Sequence, residues 1–246
     1  MESPESLNDL LTRFSALEGL KVLVHGGGRT ATDTAAQLGI ETVMVDGRRV
    51  TDEHMLRVVT MVYAGLVNKN VVAQLQARGI NALGLTGADM NVIRSHRRPL
   101  KNGVDYGFVG DVDQVDGKRL GQLLLSGVTP VMAPLTHDGC GHMLNTNADT
   151  IAAETAKALA REGYDVTLIY CFEHAGVLRN ADDEASVIPH ITPSTFESLK
   201  VDGTVSGGML PKLENCLDAV SKGVKQVIIT KADRIANNEG THITNE

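Results

Sequence analysis

Three consecutive glycines, Gly26-Gly27-Gly28, follow the short apolar run Val22-Leu23-Val24 and His25, and a helical pattern begins directly after them. Glycine has no Cβ, so the backbone there can press against a ligand. The start of the following helix presents unpaired N–H groups and the positive end of the helix dipole. Such a loop suits an anion, either a phosphate or a carboxylate. The spacing matches neither G-x-G-x-x-G nor G-x-x-x-x-G-K-[ST], so a dinucleotide or P-loop reading lacks its parts. A plain strand-to-helix turn is the alternative, but it rarely needs three glycines in a row.

Three further groups have the residue types for the same chemistry. Asn145-Thr146-Asn147-Ala148-Asp149 stands at the start of a helical pattern. Two amides and a carboxylate are more than one N-cap requires, so some are expected to bind a ligand, with capping and an Asx turn as the structural roles open to Asn147. Gly207-Gly208 opens another helix and puts Lys212 in its first turns, where a cation is unfavourable. An anionic partner, with phosphate as one candidate, explains Lys212 better than helix stability does, although an exposed surface lysine is the simpler alternative. Arg48 and Arg49 precede a helix whose expected cap is Thr51; one of them can grip a carboxylate through a bidentate fork, or both are surface charges. The eight histidines form no H-x-x-x-H or H-E-x-x-H pattern and no G-x-S-x-G elbow is present, so metallohydrolase and serine-hydrolase chemistry lack their residues and no metal site is expected. His25 reads equally well as a packed histidine and as a catalytic one.

Composition narrows the class. The 246 residues are 42% hydrophobic and 22% charged, enough for one large α/β domain or two lobes. A net charge of −7 argues against a nucleic-acid partner held by phosphate contacts. The one basic cluster, Arg94, His96, Arg97, Arg98 and Lys101, reads as a solvated loop or hairpin. Cys140, Cys171 and Cys216 are scattered and odd in number, which suits a reducing cytoplasm better than a disulfide framework. No membrane span or basic-then-apolar leader is evident, so no membrane partner is expected.

The elements that must position these groups alternate. Ser3-Pro4-Glu5 reads as a capped helix start, with Leu7, Leu10, Leu11, Phe14 and Leu17 at helical spacing. Strand-like runs follow at Lys21–Val24, Thr42–Val45, Ala82–Leu85, Pro130–Pro134, Asp165–Tyr170 and Gln226–Thr230. Helical patterns lie between them at Thr51–Leu66, Asn68–Arg78, Leu120–Ser126, Ala148–Arg161 and Leu213–Lys222. The alternation predicts an α/β fold, an open and mostly parallel sheet sandwiched by helices. Arg94–Leu100 and Tyr106–Val112 are the exception, reading as a hairpin around Asn102-Gly103. A lobe boundary is expected near Glu162-Gly163, giving lobes 1–162 and 163–246.

Taken together, His25–Gly28, Gly47–Thr51, Asn68-Lys69, Gly84–Asp89, Met143–Asp149, Gly176–Leu178 and Gly208–Lys212 resemble the amino-acid kinase family from Lys21 to Ile243, and its acylglutamate-phosphorylating branch most of all. The resemblance implies phosphorylation of the γ-carboxylate of an N-acetyl- or N-succinyl-L-glutamate in arginine biosynthesis, from ATP whose phosphates hold Mg²⁺. It assigns Gly27 and Gly28 to the reacting end of the substrate, Arg49 and Asn145 to its α-carboxylate and N-acyl region, Lys212 to charge on the transferring phosphoryl, and Asp149 to an organising role. Glu173, Gly176, Leu178, Ser206 and Gly208 fall on the nucleotide side. The lobe 1–162 becomes the acylglutamate-binding and dimerisation lobe, 163–246 the ATP lobe, and the assembly a cytoplasmic homodimer paired through the helix Thr51–Leu66.

One departure from the family pattern sets a further expectation. Family members open with a strand ending in Lys-x-Gly-Gly, whereas this sequence starts at Met1-Glu2-Ser3 in the helix that follows that strand. The expectation is a truncated start, with lower stability and a rate at least about a hundredfold below that of the same chain carrying the strand. The alternative is a kinase homologue with impaired catalysis that only binds its ligand. The family's arginine-inhibited hexamers carry an additional helix before that strand, so feedback inhibition by arginine is not expected.

Overall fold

The computed structural model describes residues 4–180, 182–237 and 239–246. The expected cap Ser3 lies outside them. In chain order the elements begin with α1 (Pro4–Ala16), β1 (Leu23–Val24), α2 (Gly28–Gln37), β2 (Met44–Val45), β3 (Arg48–Arg49) and α3 (Glu53–Val59). A π-helical stretch, Thr60–Val67, continues α3 into α4 (Asn68–Gln76). Then come β4 (Ala82–Leu85), β5 (Ile93–Arg97), β6 (Gly110–Val115), α5 (Gly117–Leu125), β7 (Thr129–Met132), β8 (Leu135–His137) and β9 (Met143–Asn145). The remainder is α6 (Ala148–Arg161), β10 (Thr167–Phe172), β11 (His190–Ile191), α7 (Pro193–Val201), α8 (Met209–Ser221), β12 (Gln226–Lys231) and β13 (Thr241–Ile243).

These elements divide into two compact units, Gly19–Ala152 and a second formed by Met1–Glu18 with Ala153–Glu246. The division therefore passes through α6, ten residues before the expected boundary at 162, because one long helix serves both units. It also groups α1 with the C-terminal half, where α1 packs on the 3₁₀ turn Ala232–Arg234.

In the unit Gly19–Ala152 the parallel sheet has the order β1-β7-β4. Every residue of the central strand β7 is buried, as a parallel strand covered on both faces should be. The packing around α2 turns on small residues. Ala31 and Ala35 are fully buried, which lets α2 lie close to Met55, Val58, Val59, Val62 and Tyr63 of α3 and the π-helical stretch. The helix expected over Thr51–Leu66 thus changes its winding midway, and its cap is Asp52, whose carboxylate accepts from the Met55 N–H at 2.7 Å, instead of Thr51. Thr51 is fully buried and pairs with Gly107.

The expected hairpin is present as β5–β6, with Asn102 and Gly103 both at positive φ (52° and 78°), the backbone of a type I′ turn. Three of its basic residues are matched by acids, Arg97 with Asp105, Arg98 with Asp111 and His96 with Asp113, which offsets most of the hairpin's positive charge. A second hairpin, β8–β9, carries Asn145.

The other unit has the sheet order β10-β12-β13-β11, with β10 and β12 parallel, β13 antiparallel to β12, and β11 parallel to β13. Lys157 of α6 is 4% exposed and lies 2.9 Å from Asp218 of α8, with Glu154 as a second partner. That ion pair ties two helices of this unit to one another.

Candidate active site

Gly27 is the N-cap of α2, and the first bond of the helix runs from the Ala31 N–H to the Gly27 carbonyl at 2.9 Å. The helix therefore makes no use of the N–H groups of Gly28 and Thr30, and its positive end opens at the glycines. His25 holds this loop from beneath. It is 3% exposed, its Nδ1 lies 2.7 Å from the Gly26 carbonyl, and its Nε2 lies 3.0 Å from Asn68 Nδ2. A carbonyl only accepts, so Nδ1 carries the proton and Nε2 accepts from the Asn68 amide, which also donates to the Val131 carbonyl at 2.9 Å. Burial lowers the His25 pKa, with the bond to Gly26 opposing it, so the ring is neutral. His25 is a packed support for the loop.

The oxygen of that amide, Asn68 Oδ1, is buried and has no hydrogen-bond partner among the described residues. It faces Gly84 of β4, where a Cβ would stand only 1.9 Å away, and Lys69 donates to the Gly84 carbonyl at 3.2 Å.

Arg49 spans the cleft on β3. Its Nη2 donates to the Gly28 carbonyl and to Thr32 Oγ1, both at 2.9 Å, and its Nη1 reaches Thr42 Oγ1 at 3.2 Å and Met55 Sδ at 3.8 Å. The guanidinium also bonds the Tyr63 side chain, whose pKa burial raises against the pull of that charge. The fork expected to hold a carboxylate is thus occupied by protein acceptors at the head of α2. Arg48, its neighbour, is exposed.

Asn145 is 9% exposed on β9 and donates through Nδ2 to Thr51 Oγ1 at 3.0 Å, while its backbone N–H meets the Phe108 carbonyl. Asn147 is the cap of α6, its Oδ1 accepting from the Thr150 N–H at 3.1 Å, so the capping role is present. Asp149 follows in the first turn of α6, where a carboxylate suits the positive helix end. Gly27, Gly28, Arg49, Tyr63, Asn145 and Asn147 line a single cleft of about 230 Å³. Sequence reasoning placed Gly27, Gly28, Arg49 and Asn145 on the substrate, and these four meet there. It missed Tyr63, Thr32 and Thr42, which nothing in their local sequence marks.

The remaining residues belong to the other unit. Gly208 caps α8, and Ser206 and Gly208 are exposed at its head, with Gly207 at φ 54°. Lys212, one turn in, places its Nζ 3.8 Å from the centroid of the Phe172 ring at the end of β10, beside the exposed Glu173. Gly176 has a packing reason of its own, because a Cβ there would stand 2.7 Å from Thr241 Oγ1 and 2.8 Å from Val187 Cγ1. Leu178 bridges to Val187 in the same segment. Among the described residues no three His, Cys, Asp or Glu side chains gather in a metal-holding group.

Comparison with known proteins identifies the family. The family model for the amino acid kinase family matches residues 1–231. The acetylglutamate kinase of Bacteroides thetaiotaomicron is 64% identical over 243 residues, covering 99% of this chain and 94% of that protein. The acetylglutamate kinase of Methanopyrus kandleri is 41% identical and covers 89% of each chain. Among solved structures, smu.665 from Streptococcus mutans UA159 superposes with a TM-score of 0.79 at 28% identity, covering 100% of this chain and 94% of that one. N-acetylglutamate synthase from Neisseria gonorrhoeae shares the fold, with a TM-score of 0.82 at 23% identity, covering 99% of this chain and 57% of that one. A chain matched by the family model over most of its length, with a relative at 64% identity, belongs to the amino acid kinase family.

Proposed function

We propose that this chain transfers the γ-phosphoryl group of ATP to the γ-carboxylate of N-acetyl-L-glutamate, a step of arginine biosynthesis. The observation that carries the reading is the convergence of Gly27, Gly28, Arg49 and Asn145 on one cleft at the head of α2, in a chain 64% identical to an acetylglutamate kinase. A carboxylate is already ionised at neutral pH, so its attack on a phosphoryl group needs no general base; it needs alignment and neutralisation of charge. The glycine amides at the helix head orient the anionic end of the acceptor. Arg49 receives the α-carboxylate by exchanging one of its Nη2 partners, Gly28 O or Thr32 Oγ1, for a substrate oxygen. Asn145, held by Thr51, presents its amide to the N-acyl group, and Asp149 organises the charges around it. In the other unit, Lys212 neutralises the phosphates, and Glu173, Gly176, Leu178, Ser206 and Gly208 border the nucleotide.

Mg²⁺ would be held chiefly by the phosphates of the nucleotide, which supply most of the charge around it. That mode requires no dedicated cluster of carboxylates in the chain. The cytoplasm is the proposed compartment, supported by Cys140, Cys171 and Cys216 forming no disulfide among the described residues. A homodimer paired through α3 and the π-helical stretch is supported by Met61 and Leu66, apolar residues 55% and 53% exposed on that segment. Light scattering that gives a monomer or a hexamer overturns the dimer.

The activity is tested by coupled ADP release with N-acetyl-, N-succinyl- and free L-glutamate as acceptors. Turnover with N-acetyl-L-glutamate well above that with free glutamate is expected. Equal rates with and without the acyl group overturn the assignment.

A further inference from the structure

We infer that Phe172 is the positioning residue for Lys212, its ring forming the floor on which the ammonium rests while the opposite side faces the phosphates. The inference rests on the reading of Lys212 above. Lys212 Nζ lies 3.8 Å from the Phe172 centroid, direct contact with the negative face of the ring. Lys212 has no hydrogen bond or ion pair to a protein group among the described residues. The ring is its one specific partner there. Phe172 is in turn stacked on Tyr170, with centroids 5.9 Å apart and planes 16° from parallel, and Tyr170 is 8% exposed on a strand paired along its length with β12.

A carboxylate partner would hold the lysine just as firmly, but it would cancel the charge that the transition state needs. An aromatic face restrains an ammonium without neutralising it and uses one side of it only, so the N–H groups on the far side stay available. Lysine also carries a flexible four-carbon stem, and the ring removes part of the freedom that would otherwise be lost at each turnover.

The test replaces Phe172 with phenylalanines carrying one, two and three ring fluorines, which weaken the negative face while keeping the ring nearly the same shape. Phe172→Leu and Phe172→Tyr are made alongside, and melting temperatures confirm that all are folded. The expected result is a kcat that falls with each fluorine, roughly three- to tenfold by the last, at an unchanged KM for the acceptor, with Phe172→Leu low and Phe172→Tyr near wild type. A flat kcat across the fluorine series, with Lys212→Ala nearly inactive, overturns the positioning role. Lys212→Ala as fast as wild type instead overturns the reading of Lys212 on which the inference rests.

Discussion

The Tyr63 ring lies so close to the Cα of Gly27 that a Cβ built there falls 2.8 Å from Cδ1 and 3.0 Å from Cε1. Tyr63 comes from the π-helical stretch, and π-helical turns concentrate at functional sites. Its ring backs the glycine loop, and its hydroxyl meets Arg49. Gly27→Ala must push this ring and shift the loop, an overpacking cost of about 1–3 kcal/mol. Steady-state assays should show lower kcat and higher acceptor KM, and the double variant Gly27→Ala/Tyr63→Leu should recover part of the loss. No recovery in the double variant means that the clash with Tyr63 is not the cause.

Arg49 predicts a different signature. Its guanidinium joins Gly28, Thr32, Thr42 and Tyr63, and under the proposed function it also grips the substrate in ground and transition states alike. Loss of one charge-assisted hydrogen bond is worth about 1.5–3 kcal/mol, so Arg49→Ala should raise acceptor KM roughly ten- to hundredfold, more than it lowers kcat. Arg49→Lys should not rescue it, since one ammonium cannot span acceptors on separate elements. A lysine variant with wild-type KM contradicts this account.

Lys212→Ala should behave in the opposite way, lowering kcat with little change in acceptor KM, because phosphate charge peaks in the transition state. Unchanged kcat removes Lys212 from the chemistry.

His25 makes stability depend on pH. Its folded pKa lies below the ordinary 6.5, so between those two values the unfolded chain binds the extra proton and the folded one does not. The contribution is fully present above 6.5 and is lost as pH falls through the folded pKa. Denaturation midpoints should therefore drop on acidification in the wild type, and His25→Gln should show a shallower slope over the same range. Identical slopes would mean that another group carries the acid sensitivity.

Lys157 concerns stability alone. Its pKa is raised: burial by itself would lower it, but Glu154 and Asp218 more than compensate, so its stabilisation is complete below pH 10.5 and lost as pH rises through the folded value. The carboxylates left behind are part-exposed and keep their water, so Lys157→Ala should lower the melting temperature through the lost ion pairs and the lost packing of the buried stem, and Lys157→Met, which keeps the stem, should lower it less. Equal melting temperatures for Lys157→Ala and wild type contradict the role.

Local signals in the sequence were legible where local chemistry decides. Asn102-Gly103 demands a type I′ turn, α6 spans the expected Ala148–Arg161, and the glycines Gly26–Gly28 lead directly into a helix, because turn conformation, helical periodicity and a missing Cβ act within a few residues. What stayed hidden depends on distant partners. Tyr63 looks like any helix residue until folding sets it against Gly27. Thr51 and Asp52 are both sound caps, and burial of Thr51 against Gly107 leaves the role to Asp52. The strands β8, β9, β11 and β13 have two or three residues each and exist only through their pairing, so no periodicity announces them. Phe172 and Lys212 lie forty positions apart, one on a strand and one on a helix, and only the fold joins them.

The Asn68 amide has a consequence for how this sequence can change over generations. One of its ends fastens His25 and the β7 backbone, and the other fills the space that a side chain at position 84 would need. Position 84 therefore tolerates only glycine while position 68 is asparagine, and position 68 cannot shrink without freeing the histidine under the loop. Lineages that accept one substitution at a time should find positions 25, 68 and 84 locked together. A library that randomises all three at once should recover functional combinations that no single-site library contains.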